Sequence, residues 1–249
     1  MSLFTRQGRG RTLLLLTAVL AVGSVCWLGC GDDNGTNPDE GGGVVKGTFT
    51  DSRNGQTYKT VKIGSKTWMA ENLNYDTADG TLSWCYKNSP DSCAKYGRLY
   101  TWNAAKTVCP IGWKLPDTAD FNMLMRAVGG IYTVSEYIGV FDTSYYWKNS
   151  GKKLKSKSGW SEKVLCDDDN SNCHRGYNGT DDYGFSALPG GCYFCFGHGF
   201  SGIGLFGFWW AENYNYSMDY SSDDIYSGSE PPGAVGGFEV GLSVRCVAD

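Results

Sequence analysis

The sequence predicts a loop-rich β or α+β domain, on three observations. Glycine and aromatic residues are abundant, with 35 Gly, 9 Trp, 16 Tyr and 11 Phe in 249 residues. Most apolar runs are short, alternate with polar residues and end in turn signals, as half-buried strands do. One stretch alone carries a full helical period. There, Asp117 is a good N-cap and Asp120 falls in the first turn, where the helix dipole favours negative charge. Phe121, Leu124, Met125 and Val128 then recur at helical spacing on one face, and Gly129-Gly130 stop the helix. A helix with one apolar stripe has to lie against a sheet.

The N-terminus carries processing information. Arg6, Arg9 and Arg11 precede an apolar run from Thr12 to Leu28 that is a little short for a membrane span, and Cys30 follows Leu28-Gly29. A small residue and then Cys at the end of such a run is similar to a bacterial lipoprotein signal. It implies that residues 1–29 are removed and that Cys30 becomes the lipidated N-terminus, durably attached to a membrane. Ordinary secretion and a retained anchor are the alternatives. The implied location is the outer membrane, at the cell surface or the periplasmic face. Residues 30–43 are acidic and glycine-rich with no large apolar side chain, and read as a flexible tether. The acidic residues after Cys30 resemble the surface-export signals of Bacteroidetes-type lipoproteins. Residues 44–249 form the domain. Loss of the leader leaves 19 of the 22 basic residues against 26 acidic ones, a charge near −7, which argues against nucleic acid and anionic lipid surfaces as partners.

The domain begins with a meander. Gly47–Thr50 alternates, Arg53-Asn54-Gly55 is a hairpin signal, Gln56–Ile63 alternates again, and Lys66–Met69 resumes after Gly64-Ser65. Gly97–Lys106 is a second helix candidate, with Leu99, Trp102 and Ala105 on one face, and Pro110 ends that segment. Ile131–Trp147 is aromatic and rich in Thr and Ser, without helical period. Gly151–Trp160 carries four Lys and reads as a solvated basic turn. Gly197–Trp210 ends in Phe208-Trp209-Trp210, a core strand, and Glu239–Val247 alternates as the last strand of the sheet.

Of ten cysteines, Cys26 and Cys30 belong to the leader region and eight remain in the domain. An even number in an exported chain implies disulfides, although sequence alone does not choose the pairing. Local spacing points to Cys85–Cys93, Cys166–Cys173 and Cys192–Cys195, leaving Cys109 and Cys246 as a long-range staple. Cys192 and Cys195 form a CxxC, for which a structural disulfide, a metal site with His174 and His198, a redox pair and free thiols all stay open. The acidic turn Asp167-Asp168-Asp169-Asn170, and Asp181 with Asp182 beside Asn178, are candidate calcium ligands through hard oxygen atoms; solvated loops and backbone caps are the alternative reading. No other cofactor is implied.

Several segments together resemble the Fibrobacter succinogenes major paralogous domain family. They are GQTYKTVKIGSKTWMAENLNY (Gly55–Tyr75), YGRLYTWNAA (Tyr96–Ala105), VCPIGWKLPDTADFNML (Val108–Leu124), GTDDYGFSALPGG (Gly179–Gly191), GFWW (Gly207–Trp210) and LSVRCV (Leu242–Val247). They stand in the family order and span nearly all of the chain after Val45. That family is similar to the C-type-lectin-like fold and its formylglycine-generating branch. The resemblance implies an α+β, C-type-lectin-like domain: two helices packed on a short antiparallel β-sheet, with long disulfide-stapled loops. A Cys109–Cys246 bridge fits that expectation. Two departures stand out. Ala211-Glu212-Asn213 replaces the usual Ser-Ala-Thr-Glu after the double Trp, and the insertion with Cys192 and Cys195 is peculiar to this chain.

No catalytic constellation, phosphate loop or nucleotide fingerprint is visible, and there are only two His residues. The expected function is that of a surface-anchored, non-catalytic binding or adhesion domain, with a polysaccharide as the partner. Tyr193, Phe194, Phe196, Tyr214, Tyr216 and Tyr220 are the candidate contact residues, since aromatic faces offer broad apolar platforms for sugar rings. The alternatives are a structural envelope component with protein partners and an oxidase of the formylglycine-generating type, for which only Cys192 and Cys195 could serve.

Overall fold

The computed structural model describes residues 44–80, 82–134, 145–167, 170–228 and 239–249, all in the unit Gly43–Asp249. Cys30, the tether, Asp168 and Asp169 lie outside the described residues.

The hairpin read at the start of the domain is the beginning of a five-stranded antiparallel sheet, in the order Val45–Thr50, Thr57–Ile63, Lys66–Met69, Val247–Ala248 and Trp113–Lys114. Gly55 takes φ +76° in the first turn, the left-handed conformation that glycine adopts without steric cost. Buried Asp51 holds that turn. It accepts from the backbone N–H of Arg53 and pairs with the Arg53 guanidinium at 2.7 Å, which keeps its carboxyl below the usual carboxylate range.

A larger sheet runs in the order Phe200–Ser201, Cys192–Tyr193, Gly241–Ser243, Phe206–Trp210, Asn215–Asp219, Ile225–Ser227, Tyr145–Lys148, Ile131–Val134. Leu99–Thr101 pairs beside Gly241–Ser243, and Ser83–Trp84 pairs with Leu99–Thr101. Val164–Cys166 and Cys173–Arg175 form a separate two-stranded ribbon closed by Cys166–Cys173. The helices are short: α1 (Pro90–Tyr96), α2 (Trp102–Ala105), α3 (Thr118–Ala127) and α4 (Gly151–Leu154).

This corrects the expectation of two helices on a short sheet: strand dominates the described residues, in several sheets. The second predicted helix is mostly not a helix. Leu99, Tyr100 and Thr101 are all buried and form a strand between two partners, and only the single turn α2 follows, capped by the Thr101 hydroxyl accepting from the Ala104 N–H. A strand covered on both faces has no alternation to betray it, so the spacing of Leu99, Trp102 and Ala105 imitated a helix. The predicted last strand is also two. Gly241–Ser243 joins the large sheet, running parallel to Phe206–Trp210, and Val247–Ala248 joins the small one.

α3 is as the sequence reads. Asp117 accepts from the Asp120 N–H at 2.8 Å and Asp120 accepts from the Asp117 N–H at 3.2 Å, a reciprocal capping box. Asp120 is buried, and Lys114 (2.7 Å) and Lys66 (3.3 Å) balance its charge. Phe121, Leu124, Met125 and Val128 enter one core cluster with Val61 and Trp68 of the small sheet and Trp147, Trp209, Tyr216 and Ile225 of the large one. A second cluster on the other side gathers Tyr58, Met69, Leu73, Tyr100, Trp210, Leu242, Val244 and Cys246. Adjacent strand residues face opposite ways, so Trp209 serves one cluster and Trp210 the other.

Between the sheets Arg245 is fully buried. It donates to the Asn72 Oδ1 (2.9 and 3.2 Å) and to the carbonyls of Phe185 and Ser186, and lies 4.3 Å from the Phe185 ring centre. The same Asn72 oxygen accepts from Trp209 Nε1 at 2.9 Å. Cys109–Cys246 fastens the next residue to the loop before α3 across 137 residues of sequence. Closing a loop that long stabilises by about 4–5 kcal/mol in the chain-entropy model. Cys85–Cys93 and Cys192–Cys195 are also bonded.

The basic turn is not simply solvated. Lys155 is fully buried, donating to the Ser222 carbonyl at 2.7 Å between the rings of Trp160 and Tyr177, each 4.7 Å away. Lys153 caps the end of α3 by donating to the Val128 carbonyl at 2.7 Å.

Two outcomes are expected. Asn72→Ala strips the acceptor from Arg245 and Trp209 together and should cost about 3–5 kcal/mol, read from urea unfolding midpoints. Burial also pushes the Lys155 ammonium down to about 8, against the pull of Asp219 and Asp223. Between about pH 8 and 10.5 the unfolded chain therefore holds a proton that the folded chain lacks, so stability rises with pH by roughly 3 kcal/mol across that window. Comparing the chain with Lys155→Met at pH 7 and pH 10.5 isolates this rise, because other titrating groups are common to both; an equal rise in the variant refutes it.

Candidate functional site

A cleft opens beside α3 on one face of the large sheet. Tyr132 pairs with Trp147, Val134 with Tyr145, Trp147 with Ile225, and Ser227 with Tyr216. The two-residue period places Tyr132, Tyr145, Trp147, Ser227 and Tyr216 on one face. Phe121 of α3 stacks on Tyr216, with ring centres 4.0 Å apart and planes 20° apart, and fixes where the helix sits. What remains open is a cleft of about 260 Å³ lined by Thr118, Asn122, Tyr132, Tyr145, Trp147, Tyr214, Tyr216, Ser227 and Gly228.

Tyr132, Tyr145 and Tyr214 are 50%, 43% and 40% exposed, large values for aromatic rings lining a concavity. The Tyr132 and Tyr145 rings lie within 7° of parallel at 5.8 Å, and Tyr132 leans on Trp147 at 5.1 Å. Behind them the Arg126 guanidinium covers Trp147 at 5.4 Å. Burial pushes the Tyr216 phenol up to about 12, with Thr118 as its hydrogen-bonding neighbour, so it stays protonated and able to donate. Among the described residues no carboxylate or ammonium lines the cleft. Aromatic faces with hydroxyl and amide groups at the rim suit a neutral, hydroxyl-rich ligand.

The predicted contact residues do not form one site. Tyr214 and Tyr216 belong to the cleft, Tyr216 as a buried part of its lining. Tyr220 is buried in the core beneath the ribbon, its hydroxyl donating to the His174 carbonyl at 3.5 Å. Tyr193, Phe194 and Phe196 lie elsewhere, in an aromatic cluster on the insertion: Tyr193 rests on Trp84 (4.4 Å) and Phe200 (4.9 Å), and Phe196, half exposed, on Phe206 (5.8 Å) and Phe208 (6.2 Å). Tyr132, Tyr145, Trp147 and Asn122 are cleft residues that sequence reasoning passed over. The alternation in IYTV and YYWK was the available signal; reading Ile131–Trp147 as one segment hid it.

The candidate ligands for calcium are separate too. Asp181 accepts from the Ser186 N–H at 2.7 Å and from its hydroxyl at 2.6 Å, which is a turn-closing role. Asp167 is an exposed residue of the ribbon loop, and Asp182 contributes its N–H to the Lys153 carbonyl. Among the described residues no group of three or more His, Cys, Asp or Glu gathers closely enough to hold a metal ion. Cys192 and Cys195 are bonded to each other, whereas oxidase chemistry asks for two reduced thiols. No helix among the described residues is long and apolar enough to cross a membrane.

Residues 61–248 match the profile of the Fibrobacter succinogenes major domain, which takes in the large sheet, α3, the cleft and the small sheet except its first strand and the start of its second. The chain belongs to that family. Two curated proteins named putative phosphoserine aminotransferase, from Mycobacterium avium (strain 104) and Mycolicibacterium paratuberculosis (strain ATCC BAA-968 / K-10), are each 31% identical over 111 residues. The match takes in 40% of this chain and 28% of each relative, so the chain spans under a third of their length. No solved structure matches the Fibrobacter major domain of this protein.

The cleft's exposed rings should be removable without loss of fold. Tyr145→Ala should change stability by no more than about 1 kcal/mol, the scale of a cross-strand pair. Phe121→Ala should cost about 3–5 kcal/mol, because it empties the contact that seats α3. Thermal denaturation of the two variants checks both, and a large loss in Tyr145→Ala would make that ring core rather than site.

Proposed function

We propose that this chain is a surface-anchored lipoprotein whose Fibrobacter major domain is a non-catalytic module binding a neutral polysaccharide. The observation that carries the reading is the cleft of Tyr132, Tyr145 and Tyr214. Its half-exposed rings, its lining without charged groups among the described residues and its amide and hydroxyl rim are matched to pyranose rings with flat apolar faces and equatorial hydroxyls. Its rings are held by the sheet and by α3 before any ligand arrives, which lowers the ordering cost of binding. The anchor rests on the leader and on Cys30, and the acidic tether would hold the module clear of the membrane.

The full chain should be retained on at least one insoluble or arrayed neutral polysaccharide. Tyr145→Ala and Tyr214→Ala should each weaken binding ten-fold or more, and Phe196→Ala should leave it unchanged. Absence of retention on every polysaccharide, with the variants indistinguishable from the parent, would sink the reading. For the anchor, mass spectrometry of the protein from its native membrane should find Cys30 acylated and residues 1–29 missing; a chain beginning elsewhere removes it.

A further inference from the structure

A second concavity, separate from the cleft, has a different chemistry. It encloses about 690 Å³, within the range of about 300–1,000 Å³ usual for small-molecule sites. The cleft is walled by Trp147 and Tyr216 of one core cluster, whereas Trp102, Cys109, Trp113 and Leu115 of this groove belong to the other cluster or pack against it. No lining residue is common to the two. The groove is fixed before any ligand arrives. Trp102 stands edge-on to Trp210 at 5.6 Å, and Trp210 is itself held by its Nε1 donating to the Tyr100 carbonyl at 2.7 Å. Trp113 packs on Phe49 at 5.0 Å and pairs with Ala248 in the small sheet. Cys109 is bonded to Cys246. The turn that carries Glu212 and Asn213 is closed by the Ala211 N–H donating to the Tyr214 carbonyl at 2.8 Å, and the Glu212 N–H ties it to the Pro116 carbonyl at 3.0 Å.

Among the described residues three charged side chains line the groove, Lys106, Lys114 and Glu212. Lys114 is already engaged by Asp117 (3.1 Å) and Asp120 (2.7 Å), and Lys66 balances the second of these carboxylates. Lys106 and Glu212 differ. Both are exposed, and among the described residues neither makes an ion pair, with the other or with any third group. The Lys106 ammonium stands 5.6 Å over the Trp102 ring. Such a lining selects by sign. A lone anion drawn to Lys106 meets Glu212, a lone cation drawn to Glu212 meets Lys106, and a neutral ligand leaves both charges with water alone. One primary ammonium and one carboxylate on the same ligand satisfy both through charge-assisted hydrogen bonds, and an apolar body between them suits the indoles. A quaternary ammonium fits less well, because it has no N–H for Glu212 and Lys106 already occupies the Trp102 face. Since Lys106 and Glu212 do not reach each other, the ligand's two charges stand apart as well, as they do at the ends of a short peptide and not within a single amino acid.

We infer that this groove is a second binding site, for a short peptide free at both ends, with the amino terminus held by Glu212, the carboxyl terminus by Lys106 and an apolar side chain against Trp102 and Trp113. The site is independent of the saccharide reading of the cleft and uses none of its residues. The rigid walls lower the ordering cost of binding, which then falls mainly on the ligand and on the two exposed side chains.

Calorimetry of the full chain with Leu-Leu, Ala-Leu-Ala and Ala-Phe-Ala tests this, each as the free peptide, N-acetylated, C-amidated and blocked at both ends, with leucine alone for comparison. At least one free peptide should bind, and blocking either end should weaken it ten-fold or more. Raising the salt from about 0.1 M to about 1 M should weaken it too, because the screening length falls from about 10 Å to about 3 Å. Glu212→Gln should weaken the free peptide ten-fold and make acetylation indifferent, and Lys106→Met should do the same for amidation; both positions are exposed, so the fold should stand. Binding that ignores the blocking of either end, free-peptide binding unchanged in either variant, leucine bound as tightly as Leu-Leu, or no peptide bound at all overturns the site. None of these outcomes bears on the polysaccharide cleft.

Discussion

One side-chain oxygen sets the geometry between the sheets. Asn72 Oδ1 accepts from Trp209 Nε1 and from two nitrogens of Arg245, and the rest of the guanidinium is taken up by the carbonyls of Phe185 and Ser186. Among the described residues no carboxylate pairs directly with this buried cation, although Asp181 and Glu71 favour its charge from a distance. Burial pushes it down to about 9, so it still carries its charge at neutral pH. Such a charge persists only when its donors are satisfied in a fixed arrangement, and the planar five-donor fork of Arg meets that demand where a Lys ammonium would not. Four chain segments far apart in sequence must therefore arrive together. A half-formed version leaves a buried cation unpaired, which makes the arrangement close to all-or-none.

The position of the cleft follows from that junction. The segment after Ser243 leaves the large sheet, passes through Arg245 and the bonded Cys246, and enters the small sheet at Val247. The two sheets are thereby held at a spacing that one helix can fill. α3, ten residues long, fills it with Phe121, Leu124, Met125 and Val128, while Thr118 and Asn122 of its first turns edge the cleft beside Tyr132 and Tyr145. The uncovered part of the sheet face is the cleft. Its rings are the continuation of the core row in which Trp147 and Tyr216 are already buried, so site and scaffold share one sheet face and differ in what covers them.

This explains which parts of the fold were legible. The capping box and stripe of α3 and the Asn54-Gly55 hairpin are local signals, written within a dozen residues, and they could be read. The family segments marked the Asn72, Phe185, Trp209 and Arg245 neighbourhoods without revealing that they meet. Leu99–Thr101 was illegible as a strand because both its faces are covered, and Lys155 was illegible as buried because its acceptor, the Ser222 carbonyl, is 67 residues away. For the site, exposure was guessed from aromatic density. That guess was right about exposure for Phe196 and Tyr214 and wrong for Tyr216 and Tyr220, which are buried, since a period-two pattern shows that residues share a face but not what lies over that face.

The charge balance bears on the kind of ligand proposed for this surface. With 19 basic and 26 acidic residues in 30–249, the chain repels anionic polymers at long range. A site for an acidic glycan would need to overcome that field with a local cluster of unpaired cations. The cleft has none among the described residues, and in a separate groove lined by Trp102 and Trp113, Lys106 is accompanied by Glu212 while Lys114 is already held by two aspartates. On the proposed reading, recognition rests on ring stacking and neutral hydrogen bonds, which depend little on salt, instead of on screened Coulomb attraction. A ligand that is uncharged, extended and rich in flat apolar faces is the one for which neither the long-range field nor the local lining has to be offset.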